Sequence, residues 1–239
     1  GVQDLSTINY NNGPCDPMII PGSIDFNDCD RFGNNNAILT VGSATQAGPF
    51  AVGSRQGQTI LRGYGINVVG SNTTAGGSTQ IGFRADGSGD ISGTIDVRAK
   101  QGGLTLQSGT ADNAFVQIGH GTGSGTFANN VTTAATVNIS FCEPGVVTLN
   151  GGGNGAFAMI GNGGGTGNYT RHGNVTITDF AGVSLNSGAG TGAFTQIGSG
   201  GLGGQGAINS IVTLTGEGNV SLTGGGSNAF AHIGAGGLN

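Results

Sequence analysis

One segment returns through this chain at a nearly fixed spacing. Ala-Phe-Xaa-Xaa-Ile-Gly-Xaa-Gly stands at Ala114–Gly121, Ala156–Gly163, Ala193–Gly200 and Ala229–Gly236. Looser forms precede it at Thr79-Gln80-Ile81-Gly82 and Phe50-Ala51-Val52-Gly53. The first glycine of the pattern therefore recurs at Gly53, Gly82, Gly119, Gly161, Gly198 and Gly234, in steps of 29, 37, 42, 37 and 36 residues. A unit this short cannot bury its own apolar face and must stack on its neighbours, so the chain is expected to be a solenoid.

Each unit carries three apolar beats. The first alternates apolar and polar residues, as at Ile95/Val97, Val137/Ile139, Val175/Ile177 and Val212/Leu214. Period-two alternation marks a half-buried strand. A second strand follows a short turn, at Leu104/Leu106, Val147/Leu149, Val183/Leu185 and Val220/Leu222, and the Ala-Phe-Xaa-Xaa-Ile-Gly segment is the third. Spacings from beat to beat are constant: Val175 to Val183 and Val212 to Val220 are both eight residues, as are Leu149 to Phe157 and Leu222 to Phe230. The length differences fall after Ile-Gly, so that connection is expected to project from the stack as loops. No helical periodicity or cap is present. The expected fold is all-β, a β-solenoid of ~37-residue three-strand repeats over residues 37–239.

Stacked units place like residues over each other at the strand spacing of about 4.8 Å. Ile118, Ile160, Ile197 and Ile233 are expected to form one ladder, and Phe115, Phe157, Phe194 and Phe230 another. Phe and Ile three residues apart face opposite sides of a regular strand. Two arrangements follow: a bulge or corner buries both, or the aromatic ladder lies outside the solenoid core as an exposed stripe.

Residues 1–36 read differently, with Pro14, Pro17, Pro21 and five of the twelve acids, and are expected to be an irregular cap or joining segment. Cys15 and Cys29 are close enough to close a small loop by a disulfide, which an extracellular setting permits. Cys142 is then the odd thiol, at an outward position because Phe141 has the inward parity. Asp25, Asn27, Asp28 and Asp30 offer hard oxygens within six residues and form the one candidate Ca²⁺ site. Their spacing departs from the EF-hand's, and a solvated acidic loop is the alternative; no other cofactor is expected.

Only 8% of residues are Asp, Glu, Lys or Arg, and Gly is 53 of 239. Such low charge removes the self-repulsion that keeps proteins apart, so partners are expected to be copies of the same chain. After Lys100 the only Lys or Arg is Arg171, which argues against nucleic acid. No apolar run approaches the roughly 18 residues of a membrane helix, so membrane insertion is not expected.

Gly89-Asp90-Ile91-Ser92-Gly93, then Ile95-Asp96-Val97, Gly103-Leu104-Thr105-Leu106 and Ala114–Gly121, resembles the GDISG…GxVTL…AQIGHG repeats of large secreted bacterial proteins of the filamentous-haemagglutinin type. The resemblance covers about residues 80–239. It implies a right-handed parallel β-helix, export through a partner pore and a role as surface fibre or adhesin.

Other motifs are weaker. Gly198–Gly203 fits the dinucleotide pattern Gly-Xaa-Gly-Xaa-Xaa-Gly, but no helix or βαβ unit surrounds it. His120, His172 and His232 occupy different phases of the repeat, which does not gather them as metal ligands or catalytic bases. A glycosidase needs converging carboxylates, whereas Asp112, Glu143, Asp179 and Glu217 stand one per unit. The expected function is therefore structural and not enzymatic: an extracellular or cell-surface fibre or adhesin held by end-to-end β-stacking through an uncovered last coil. A carbohydrate- or ice-binding module, with surface glycans as partners, is the alternative, and a β-helical glycan-active enzyme is the third reading.

Overall fold

The computed structural model describes residues 37–85, 89–121, 129–165, 168–203 and 206–237. The proposed cap, the Ca²⁺ candidates Asp25, Asn27, Asp28 and Asp30, and both Cys15 and Cys29 lie outside them. The described chain is a parallel β-helix of six turns. Turn one holds β1 (Ile38–Gly42) and β2 (Phe50–Val52); turn two β3 (Gln58–Gly63), β4 (Gly65–Val69) and β5 (Thr79–Ile81); turn three β6 (Thr94–Ala99), β7 (Leu104–Gln107) and β8 (Val116–Ile118). Turn four holds β9 (Val137–Asn150), β10 (Ala158–Ile160), β11 (Gly163–Gly164) and β12 (Arg171–His172), and turn five β13 (Val175–Asn186), β14 (Thr195–Ile197), β15 (Gly200–Gly201) and β16 (Ile208–Asn209). Turn six closes the described stack with β17 (Val212–Gly216), β18 (Val220–Thr223) and β19 (Ala231–Ile233).

Every pairing is parallel and joins a turn to the next. Face one runs β3-β6-β9-β13-β17 and face two β1-β4-β7-β9-β13-β18, the long β9 and β13 passing through the corner between them. Face three is the separate sheet β2-β5-β8-β10-β14-β19. One repeat is thus one turn of the helix.

The three faces enclose one core. Inward residues of faces one and two, such as Ile95, Val137, Val175, Leu104, Val147 and Leu185, meet Val116, Ile118, Ile160 and Ile197 from face three, all fully buried. The expected isoleucine ladder is therefore the inner surface of face three, in register from Ile81 through Ile118, Ile160 and Ile197 to Ile233. Turns from face two to face three place Gly76, Asn113, Gly155, Gly192 and Asn228 at φ between +55° and +73°. Only Gly enters that region freely and Asn is the next best tolerated, which is why the position alternates between those two residues.

The connection after Ile-Gly differs from expectation. Its described parts return to the stack: β11 pairs with β15, β12 pairs with β16, and bridges join Ile91 to Val131 and Val131 to Arg171. It lies against the outer side of face three, so that face is covered on both sides. Hydrogen bonding explains the return, because consecutive connections offer each other the same parallel ladder as the strands do.

Candidate functional site

Covering of face three decides the aromatic ladder. Phe115, Phe157, Phe194 and Phe230 keep the outward parity, so no bulge turns them into the core. Their rings stack one above the next at 4.7, 4.6 and 4.9 Å with interplanar angles of 6–8°. They form a second cluster with Met159, flanked by Leu202, and Phe115, Phe157 and Phe194 are buried. The ladder is thus outside the central core yet is not an exposed stripe. Gly164, at φ +100°, fits over Phe157, where a methyl group would lie 2.7 Å from the ring. At the first end of the stack the Arg84 guanidinium sits 5.9 Å from the Phe115 centroid, and its partial burial lowers its pKa.

Two polar ladders beside the rings escaped the sequence reading. Gln117 Nε2 donates to the carbonyls of Gly161 (2.9 Å) and Gly163 (3.2 Å) one turn later; Gln80 does the same to Gly119 and Gly121, and Gln196 to Gly234 and Gly236. Met159 takes the equivalent place in turn four, in register with Gln117 and Gln196. The signal was present as Gln one residue before Ile-Gly at Gln80, Gln117 and Gln196. The second ladder uses the residue between the paired glycines. Phe83 N–H donates to His120 Nδ1 (3.0 Å), His120 N–H to Asn162 Oδ1 (2.8 Å) and Asn162 N–H to Ser199 Oγ (3.4 Å). Asn162 Nδ2 also donates to the Ala135 and His172 carbonyls, tying face three to the returning connection.

The histidines stay apart, as their phases required: His120 in this inner ladder, His172 on β12 and His232 on β19. Burial holds His120 down at a pKa of about 4, and the nearby Gly93 carbonyl offsets only part of that cost. Among the described residues no three His, Cys, Asp or Glu side chains are grouped to hold a metal ion. Gly198–Gly203, the literal dinucleotide pattern, contributes β15 to a glycine ladder, and among the described residues no helix follows it.

Cys142 corrects another expectation. It is disulfide-bonded rather than the odd thiol. In a chain of three cysteines this bond and a Cys15–Cys29 pairing within one molecule exclude each other.

What remains as a candidate site is the pair of edges that no described strand covers. Among the described residues nothing pairs with the outer edge of turn six, and Val220, Leu222 and Ile211 there are 46%, 46% and 63% exposed. At the opposite end Ile38 is 51% and Phe50 45% exposed. Val220 and Leu222 belong to the core columns of face two that run from Leu39 and Val41, and Ala231 and Ile233 to the face-three columns that run from Phe50 and Val52. The two ends thus carry the same template in the same register.

No family model, curated protein or solved structure matches the chain. A functional reading therefore rests on the geometry.

Proposed function

We propose that this chain is a structural subunit of an extracellular or cell-surface fibre or adhesin, assembled end to end by β-stacking with copies of itself. The observation that carries the proposal is the matched register of the two edges of the described stack. A second copy laid on turn six sets its Leu39 over Val220, its Val41 over Leu222 and its Val52 over Ile233. Its Phe50, the one large side chain in that column, meets the small Ala231. Each contact repeats one already made five times within the chain. Among the described residues face one starts a turn later, at β3. The contact is heterologous: one end binds the other and leaves a fresh end, which generates open filaments. Unpaired strand edges are templates for such pairing.

Two further features support the setting. The Cys142 disulfide suits an oxidising compartment, and the charge content of 8% offers little repulsion between subunits. The motif resemblance to secreted surface fibres points the same way.

Sedimentation velocity of the chain and of its Val220→Lys/Leu222→Lys variant tests the proposal. Both positions are half exposed in the single chain, so the variant keeps its fold. The unaltered chain is expected to grow with concentration while the variant stays at 23.3 kDa. A chain that remains at that mass throughout, or a variant that assembles equally well, overturns it.

A further inference from the structure

A groove of about 350 Å³ lies on the outer side of face one, across the neighbouring strands β3, β6 and β9. It uses none of the edges on which assembly rests. Register sets its two rows. Ile60, Asp96 and Asn138 stand side by side, and Arg62, Arg98 and Ser140 form the next row two residues on, about 6.6 Å further along the strands. Gln58 closes the near end. These side chains alternate with buried core residues, so the strands themselves hold them outward.

The polar groups of the groove are sorted by row. The Asp96 carboxylate accepts from Gln58 Nε2 on one side and from Asn138 Nδ2 (2.9 Å) on the other. Both amides are thereby oriented, and their carbonyl oxygens, Gln58 Oε1 and Asn138 Oδ1, are turned away from the carboxylate as acceptors. In the second row Arg98 Nε donates to Ser140 Oγ at 3.3 Å, which leaves Nη1 and Nη2 of the same guanidinium without a partner among the described residues. Of the residues lining the groove only Asp96 is acidic, against Arg62 and Arg98. One row therefore offers acceptors around a satisfied carboxylate, and the other offers cationic donors.

We infer that this groove binds an acidic oligosaccharide through one uronate ring, with the carboxylate on the Arg98 and Arg62 guanidiniums, the hydroxyls on Gln58 Oε1 and Asn138 Oδ1, and Ile60 beneath the C–H face of the ring. The paired Nη1 and Nη2 of an arginine match the two oxygens of a carboxylate. A hydroxyl donates to the acceptor row, whereas a second carboxylate placed there meets the charge of Asp96. The same feature tells against an acidic peptide. The backbone groups of β6 and β9 are paired with a neighbouring strand on both sides, so an extended peptide finds no strand edge to join on this face. Binding of a glycan adds a partner to the fibre reading and does not depend on assembly.

The test is calorimetric titration of the whole chain with hexagalacturonate, neutral maltohexaose and hexaglutamate, in EDTA and at about 0.15 M salt, where loose charge attraction is screened. Hexagalacturonate is expected to bind at least about tenfold more tightly than either control, and Arg98→Gln to weaken it by about tenfold or more. Asp96→Asn removes a negative charge, so a purely Coulombic site would hold the anion more tightly. Here it is expected to weaken binding severalfold, because an amide at position 96 turns one of the two acceptors inward. All these side chains face outward, so the variants keep their fold. The Val220→Lys/Leu222→Lys variant is expected to bind as the unaltered chain does, so that failure to assemble and failure to bind are read apart. No binding of hexagalacturonate, equal binding of hexaglutamate, tighter binding by Asp96→Asn or indifference to Arg98→Gln overturns the inference.

Discussion

The backbone N–H of Phe83 donates to Nδ1 of His120, one turn later, at 3.0 Å. An imidazole that accepts at Nδ1 must be neutral, since protonation would set a second N–H against the first. Burial adds to this, and the pKa of His120 falls from the ordinary 6.5 to about 4. The unfolded chain therefore takes up a proton near pH 6.5 that the folded chain refuses until about pH 4. Stability contributed by this site is complete above pH 6.5, declines as pH falls through that window and levels off below it, a loss of at most about 3 kcal/mol. His120→Asn keeps an acceptor, as Asn162 does one turn on, and is expected to remove this part of the pH dependence. Urea titrations of both proteins at pH 7.5 and pH 4 check it; equal losses in the two would contradict the assignment.

Phe157 has a stacked ring on each side, whereas Phe230 has one. Phe157→Ala opens a cavity in a cluster that the returning connection encloses, at a cost of about 3–5 kcal/mol. Phe230→Ala is expected to cost clearly less. Thermal melts compare them, and a Phe157 variant no worse than the Phe230 variant would show that the connection does not seal the ladder.

Gln117 separates hydrogen bonding from charge. Its Nε2 makes two good bonds, but its Oε1 is buried without a partner. Gln117→Met loses a net 1 kcal/mol or so from the bonds and relieves the unpaired acceptor, and Met159 already fills the same place in the next turn. It is expected to be nearly neutral. Gln117→Glu instead points a carboxylate at the Gly161 and Gly163 carbonyls and should destabilise by several kcal/mol. Chemical denaturation distinguishes them.

Gly161 has φ +140°, and an added methyl group would overlap the Gly198 carbonyl of the next turn. Gly161→Ala is expected to break the stack locally and lower the melting temperature severely. Gly48 has no atom within 4 Å of that methyl position, and Gly48→Ala should be neutral or gain up to about 1 kcal/mol by stiffening the unfolded chain.

The core was legible because its signal is periodic. Ile81, Ile118, Ile160, Ile197 and Ile233 recur with the turn, and the Gly and Asn residues at 76, 113, 155, 192 and 228 recur with the left-handed backbone they serve. The connection after Ile-Gly was not legible, since its lengths vary and its glycines carry no apolar pattern. Whether it projects or folds back depends on hydrogen bonds between successive turns, such as Gly163 with Gly200. That choice decided between the two arrangements open to the Phe ladder, making it a buried seam rather than a surface stripe. Likewise the disulfide of Cys142 was not legible to a spacing rule that weighs only the nearby pair Cys15 and Cys29.

End-to-end stacking is most directly tested by electron microscopy of the purified chain at neutral pH. The six described turns at about 4.8 Å each set a subunit rise of at least about 29 Å. The account requires unbranched filaments with that axial repeat and a layer line near 4.8 Å along the axis. Separate rods of one subunit's length at every concentration would contradict it.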